Sequence, residues 1–398
     1  MIPVETYRDA GLVHNDVIVR VTSQNFVASR EKATPDATAK IQEAIGIHGW
    51  EKAFPEQIYA PYFHDEDTLK WLVEQFDKFP KPADKVQRIF AERQLRWPIY
   101  STPEVAEKFY REIEATTLAK SVASYSSRVE DLEFNASLAG LSRDECWAQM
   151  EDLLEEQHDL ELPMTFELDK TECLARHLAT LGGVDKDLME KWLDFRPEFD
   201  AMEPEMEEIQ VETAMLLLAH DPSINVDVSK LFHWINEDLG DISDFAFRAL
   251  RARQTEDLTK YVIAEFPGLP ETLRLHLCNF LESSSFPALR EDIWKLYENE
   301  ADFEVLGALA EVLGVYGGED FEKAALEVLE LGGVGNEESL LLTIYTNRVL
   351  AGQKFKEKKE WERHLSNFYS ADFIQTNLSY EIDPDMDKDL EDIDPDFF

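Results

Sequence analysis

Nine histidines and 82 aspartates and glutamates give this 398-residue chain many groups able to move protons or hold metals. Their spacing argues against both uses. His158, His177, His220 and His233 are spread through the middle of the chain, none at i, i+3 or i+4 from another histidine. Zinc needs three or four ligands converging at about 2 Å, and no local pair starts such a site. They read as core or surface imidazoles. No HExxH pair, GxxxxGK[ST] phosphate loop or GxSxG nucleophile turn occurs. Gly332-Gly333-Val334-Gly335 is glycine-rich, but no strand-like run precedes it and no lysine follows in place, so it reads as a turn between helices. Asp383, Asp385 and Asp387 sit like the first ligands of a calcium loop, yet Lys388 replaces its turn glycine and Asp394 its bidentate glutamate. With carboxylates so abundant, a pair of them signifies chemistry only in a cleft that shifts its pKa. The chain is expected to be non-catalytic, with no cofactor and no metal.

The last stretch is the most informative locally. From Tyr380 the chain alternates acids with Ile382, Leu390 and Ile393, carries Pro384 and Pro395, and reaches Asp396-Phe397-Phe398. Such charge density opposes a packed core, so residues 371–398 are expected to form a disordered acidic tail. Acids and a proline ahead of phenylalanine resemble the acidic tails of bacterial single-stranded-DNA-binding proteins, although here Asp396 separates Pro395 from the aromatic pair. That resemblance implies capture of an aromatic ring and a terminal carboxylate in a basic-rimmed pocket. Asp392, Asp394, Asp396, Phe397 and Phe398 are the candidate partner-binding residues.

Charge narrows the partners further. A formal net charge of −43 repels nucleic-acid phosphates and anionic lipid headgroups, over about 8 Å at physiological salt, and favours a basic protein. Direct nucleic-acid binding and membrane association are therefore not expected. Cys146, Cys173 and Cys278 are far apart and form no CxxC pair, which fits buried thiols in a reducing compartment. The N-terminal residues show no basic segment followed by an apolar run, and no window approaches the roughly 20 apolar residues that span a bilayer. The expected location is cytoplasmic.

The elements that would position these groups are helices. Ile242, Phe245, Ala246, Ala249 and Leu250 fall on one helical face, and Leu258, Tyr261, Val262 and Phe266 on the next before Pro267-Gly268-Leu269-Pro270 breaks the chain. Further stripes run through Leu273, Leu277, Phe280 and Leu281, then Leu289, Ile293, Leu296 and Tyr297. A third pair uses Phe303, Leu306, Leu309, Ala310 and Leu313, then Phe321, Ala324, Ala325, Val328 and Leu329. Asn336, followed by Glu337 and Glu338, reads as an N-cap. First helices of successive pairs start near Asp241, Pro270, Asp302 and Asn336, a period of roughly 30 to 34 residues. Upstream, shorter helical stretches recur less regularly, residues 16–22 with Val17, Ile18, Val19 and Val21 suit a short strand, and residues 160–170 and 196–208 read as long loops. Trp71, Trp192, Trp234 and Trp294 lie on apolar stripes and read as core.

Phe245-Ala246-Phe247-Arg248-Ala249-Leu250 and Leu306-Gly307-Ala308-Leu309-Ala310-Glu311-Val312-Leu313-Gly314 resemble HEAT-like repeats, including the bacterial type of the phycobilisome lyases. The aspartate and arginine ladder of many such repeats is not visible at fixed offsets. The resemblance implies an all-α superhelix, or α-solenoid, and a binding habit rather than a chemistry. The expected organisation is an irregular helical region over 1–160, a repeat array over 161–370 and the tail over 371–398. Three functions follow in order: a scaffold holding a basic protein, an anionic decoy mimicking nucleic acid, and a lyase-like enzyme, for which no residue speaks.

Overall fold

A computed structural model of the chain describes residues 4–30, 34–49, 65–78, 101–114, 133–159, 168–182, 184–196, 206–237, 241–283, 286–332 and 336–366. Among these residues the protein is all-helical, without strands. No described helix is long and apolar enough to cross a membrane.

The N-terminal helices are α1 (Val17–Arg30), α2 (Pro35–His48), α3 (Glu66–Lys78) and α4 (Pro103–Glu114). The middle holds α5 (Arg143–Asp159), α6 (Leu168–Thr180), α7 (Lys186–Leu193), α8 (Met206–His220) and α9 (Val228–Glu237). Then follow α10 (Asp241–Ala252), α11 (Glu256–Glu265), α12 (Glu271–Glu282), α13 (Arg290–Asn299), α14 (Phe303–Tyr316), α15 (Glu319–Leu331), α16 (Glu337–Leu350) and α17 (Lys358–Ser366).

Local chemistry sets several starts. Asp185, Thr255 and Asp302 each accept hydrogen bonds from first-turn amides, supplying partners that the helix itself cannot. Ser142 and Glu145 cap α5 reciprocally: the Ser142 amide donates to Glu145 Oε2 at 2.8 Å and the Glu145 amide to Ser142 Oγ at 3.4 Å.

The four first helices begin where the period places them, as α10, α12, α14 and α16. Each packs on the next, and the succession extends backward through α8 and α6. Flanking helices fill the spaces between: α9 lies against α10 and α12, α13 against α14, and α15 against both α14 and α16. Every residue of the expected apolar stripes of α10 and α12 is buried, while Phe247 beside them is half-buried. Helix α8 is apolar almost all round, with Ile209, Val211, Ala214 and Met215 to Leu218 buried, because α5, α6, α7 and α10 enclose it.

Two stripe residues are exposed instead. Tyr261 stays 44% accessible because it lays one ring face on Phe232 and leaves the other open. Phe303 is 60% accessible as the first residue of α14, where side chains lean toward the N-terminus and past their neighbours. Asn336 does occupy the N-cap of α16, but its side chain makes no capping bond. It lies instead over Gly307, where an added Cβ would sit 2.6 Å from its Oδ1. The missing side chain lets α14 approach the start of α16. Trp192 and Trp234 are core residues, while Trp71 and Trp294 are partly buried against that core.

The strand suited to residues 16–22 is a helix, α1. β-branched residues lose only about half a kcal/mol each in a helix, and burial exceeds that. Asp16 caps it by accepting from the Ile18 amide at 3.0 Å, and the residues from Ile18 to Gln24 are all buried. Helix α1 packs on α16 and α17, at the far end of the succession. Ile18 and Val19 share a cluster with Leu341, Tyr345 and Leu365. Tyr345 Oη donates to Asp16 Oδ2 at 2.6 Å, and Tyr7 Oη donates to Asn347 Oδ1. Of the two expected long loops, residues 168–170 and 206–208 belong to α6 and α8, and residues 160–167 and 197–205 lie outside the described residues. Apolar side chains past the two helix starts, Cys173 and Leu174 or Ile209 and Val211, lock them onto neighbouring helices.

Candidate functional site

Asp392, Asp394, Asp396, Phe397 and Phe398, and with them the whole acidic stretch 371–398, lie outside the described residues. The site is therefore built from the charged groups on the helices, which fall into two populations.

The first ties neighbouring helices together. Glu172 of α6 is 4% exposed and accepts from Arg248 Nη2 of α10 at 2.5 Å and from His220 Nε2 of α8 at 3.2 Å. Burial would raise its pKa. The His220 hydrogen bond and the Arg248 charge outweigh that and hold the carboxyl at about 2. A carboxylate that stays ionised at every physiological pH is a poor general base or acid. It ties α6, α8 and α10 together instead. Arg253 serves the same seam from the end of α10, donating to the carbonyls of Leu218, Asp221 and Ile224 at 2.6, 3.0 and 3.2 Å. Burial brings its pKa down to about 10, still charged near neutrality.

Farther along, Arg274 of α12 pairs with Glu300, Arg290 of α13 with Asp320 of α15 at 2.7 Å, and Arg348 of α16 with Glu322 of α15. Tyr297 of α13 reaches Glu327 and the Ala324 carbonyl of α15, both at 3.3 Å. Burial first, then the Glu327 charge, pushes its phenol up to about 12. The arginine ties that the sequence hides are thus present, at offsets that differ in length or direction.

The second population lies on α5. Cys146, Met150, Leu153 and Leu154 turn inward, and Asp144, Glu151, Asp152, Glu155 and Glu156 are exposed on the opposite side. Glu151 with Glu155, and Asp152 with Glu155 and Glu156, stand at i+3 or i+4, and Asp144 lies two turns earlier on the same face, making one acidic stripe. None of these five has an ion-pair partner among the described residues. Five seam arginines, Arg248, Arg253, Arg274, Arg290 and Arg348, are thus engaged between elements, while these carboxylates face outward without a counter-charge.

The cysteines and histidines occupy core and surface positions. All three cysteines are buried and free, and burial pushes the Cys146 and Cys278 thiols up, away from the reactive thiolate. His177 is 7% exposed, and burial pushes its imidazole pKa down. His158 is exposed, and His233 sits 3.5 Å from Glu237 on its own helix. Among the described residues no three His, Cys, Asp or Glu side chains are grouped to hold a metal ion. Sequence reasoning missed both the Glu172 centre and the α5 stripe. The signal for the stripe was present as Glu151-Asp152 and Glu155-Glu156 opposite Met150, Leu153 and Leu154; that for the Glu172 centre was not. Compared with family models, with curated proteins and with solved structures, the chain matches none of them.

Proposed function

We propose that this protein is a non-catalytic, cytoplasmic scaffold built as a HEAT-like α-solenoid, and that it holds a basic protein against its acidic surface. The observation that carries this reading is the α5 stripe: five exposed carboxylates on one helix face with no ion-pair partner among the described residues. Like charges at i, i+4, here Glu151 with Glu155 and Asp152 with Glu156, cost an isolated helix stability. A cationic partner removes that cost by neutralising them. The orderly packing of α6, α8, α10, α12, α14 and α16, each on the next, supports the solenoid. Three buried free thiols suit a reducing compartment. The segment 371–398, with Asp392, Asp394, Asp396, Phe397 and Phe398, is a second contact for the same partner.

The test compares the full chain with a variant carrying Glu151→Lys, Asp152→Lys, Glu155→Lys and Glu156→Lys, each used to capture proteins from native lysate at low and moderate salt. The scaffold reading expects a stoichiometric basic protein retained by the first and lost from the second. A partner retained equally by both would remove α5 from the interface. Displacement by duplex DNA or RNA would replace the scaffold by a phosphate-mimicking decoy.

A further inference from the structure

The span from Arg348 to His364 departs from the rest of this acidic chain. It holds six lysines and arginines against three glutamates. Arg348 is already engaged, paired with Glu322 and Glu357 and lying over the Phe355 and Trp361 rings at 5.2 Å, and Lys356 pairs with Glu357 at 3.4 Å. These contacts fix α17 against α16. Lys354, Lys358, Lys359 and Arg363 remain, three of them exposed and Lys358 half-buried, and none has an ion-pair partner among the described residues. Unneutralised cations gathered within ten residues are unexpected in a chain of net charge −43. Beside them lies an open cavity of about 420 Å³ lined by Leu341, Glu360, Trp361, Arg363 and His364. Leu341 and Trp361 form its apolar wall, and Arg363 and His364 lie on its rim beside Glu360.

Residues 381–398 have the complementary chemistry. They carry nine carboxylates against the single Lys388, and an aromatic pair, Phe397-Phe398. Residues 367–380 connect them to the end of α17. Fourteen residues reach at most about 50 Å at full extension, so the tether between the two segments is short and holds each near the other. Acidic surfaces such as the α5 stripe repel this segment.

We infer that the α16–α17 face is a docking site for residues 381–398 of the same chain. Its carboxylates lie on Lys354, Lys358, Lys359 and Arg363, and Phe397-Phe398 covers Leu341 and Trp361. Docking makes the segment's availability to a basic partner competitive with α17 and dependent on salt. The inference rests on the proposed function only in treating this segment as a recognition element. It is read without any partner, so either can fail while the other stands.

The experiment is zero-length carbodiimide cross-linking of the full chain at low concentration, in an equal mixture of unlabelled and ¹⁵N-labelled protein, mapped by mass spectrometry. The expected result is amide links from Lys354, Lys358 or Lys359 to carboxylates within 381–398, all within one isotope. Their yield should fall about fivefold between about 0.05 M and about 0.5 M salt, as screening shortens the reach of the charges. Arg363→Glu and the double change Phe397→Ala, Phe398→Ala should each lower the yield severalfold. Neither touches a linking lysine, and neither lies in the buried core, so loss of folding does not mimic the effect. Links confined to Glu357, Glu360 and Glu362, no links at all, or yields indifferent to salt and to both variants would overturn the site. Mixed-isotope links would assign the segment to a second copy instead.

Discussion

Carboxylates occupy the α6–α10 seam and the outer face of α5 alike, and they behave as different kinds of group. Glu172 is buried, doubly partnered and held ionised, so its charge binds three helices. Glu151, Asp152, Glu155 and Glu156 are exposed and unpaired among the described residues, so their charge is available to something outside the fold. The same side chain stabilises where arginine and histidine converge on it and mildly destabilises where only water and like charges surround it.

The sharpest way to break this contrast is Glu172→Gln. The shift of Glu172 from 4.5 to about 2 corresponds to a loss on the order of 3 kcal/mol, read as a lower urea midpoint at pH 7. A midpoint unchanged from wild type would remove Glu172 from the seam. Because its folded pKa is depressed, its contribution is present above about pH 5 and disappears as pH falls through the unfolded value toward about 2. Stability titrated from pH 6 to pH 2 should therefore decline less steeply in the variant.

A smaller loss is expected from Tyr345→Phe, which keeps the ring but leaves Asp16 without its 2.6 Å donor at the contact between α16 and α1. About 1 to 2 kcal/mol fits a charge-assisted bond. Hydrogen exchange should show faster amides in α1 and unchanged amides in α8. Equal acceleration in both would mean that α1 is not a separable closing element.

The smallest effect has the opposite sign. Neutralising α5 with Glu151→Gln, Asp152→Asn, Glu155→Gln and Glu156→Gln together should leave the midpoint unchanged or slightly raised at low salt. Any gain should vanish near 1 M salt, where the screening length is about 3 Å. A clear loss would show that these carboxylates have partners in the fold after all.

How much of this was legible depends on how far apart in the chain the interacting groups lie. The starts of α10, α12, α14 and α16 were readable because apolar spacing and chain breakers act within a few residues. Tyr261 and Phe303 were misplaced because spacing assigns a face but not the extent of the neighbour covering it. The arginine ties were invisible because Arg248 meets a carboxylate 76 residues upstream while Arg274 meets one 26 residues downstream. No fixed offset joins them.

By itself the sequence determined an all-helical chain of strong negative charge, with its first-helix period, its buried thiols and its core tryptophans Trp192 and Trp234, because propensity, patterning and net charge are properties of neighbours along the chain. Only the tertiary structure decided that residues 17–30 form a helix docked against α16, which carboxylates are locked in seams, and that unpaired cations gather on α17. Those outcomes depend on which distant surfaces meet. Burial then overrides local β-preference in α1 and sets whether a charge faces a partner or the solvent.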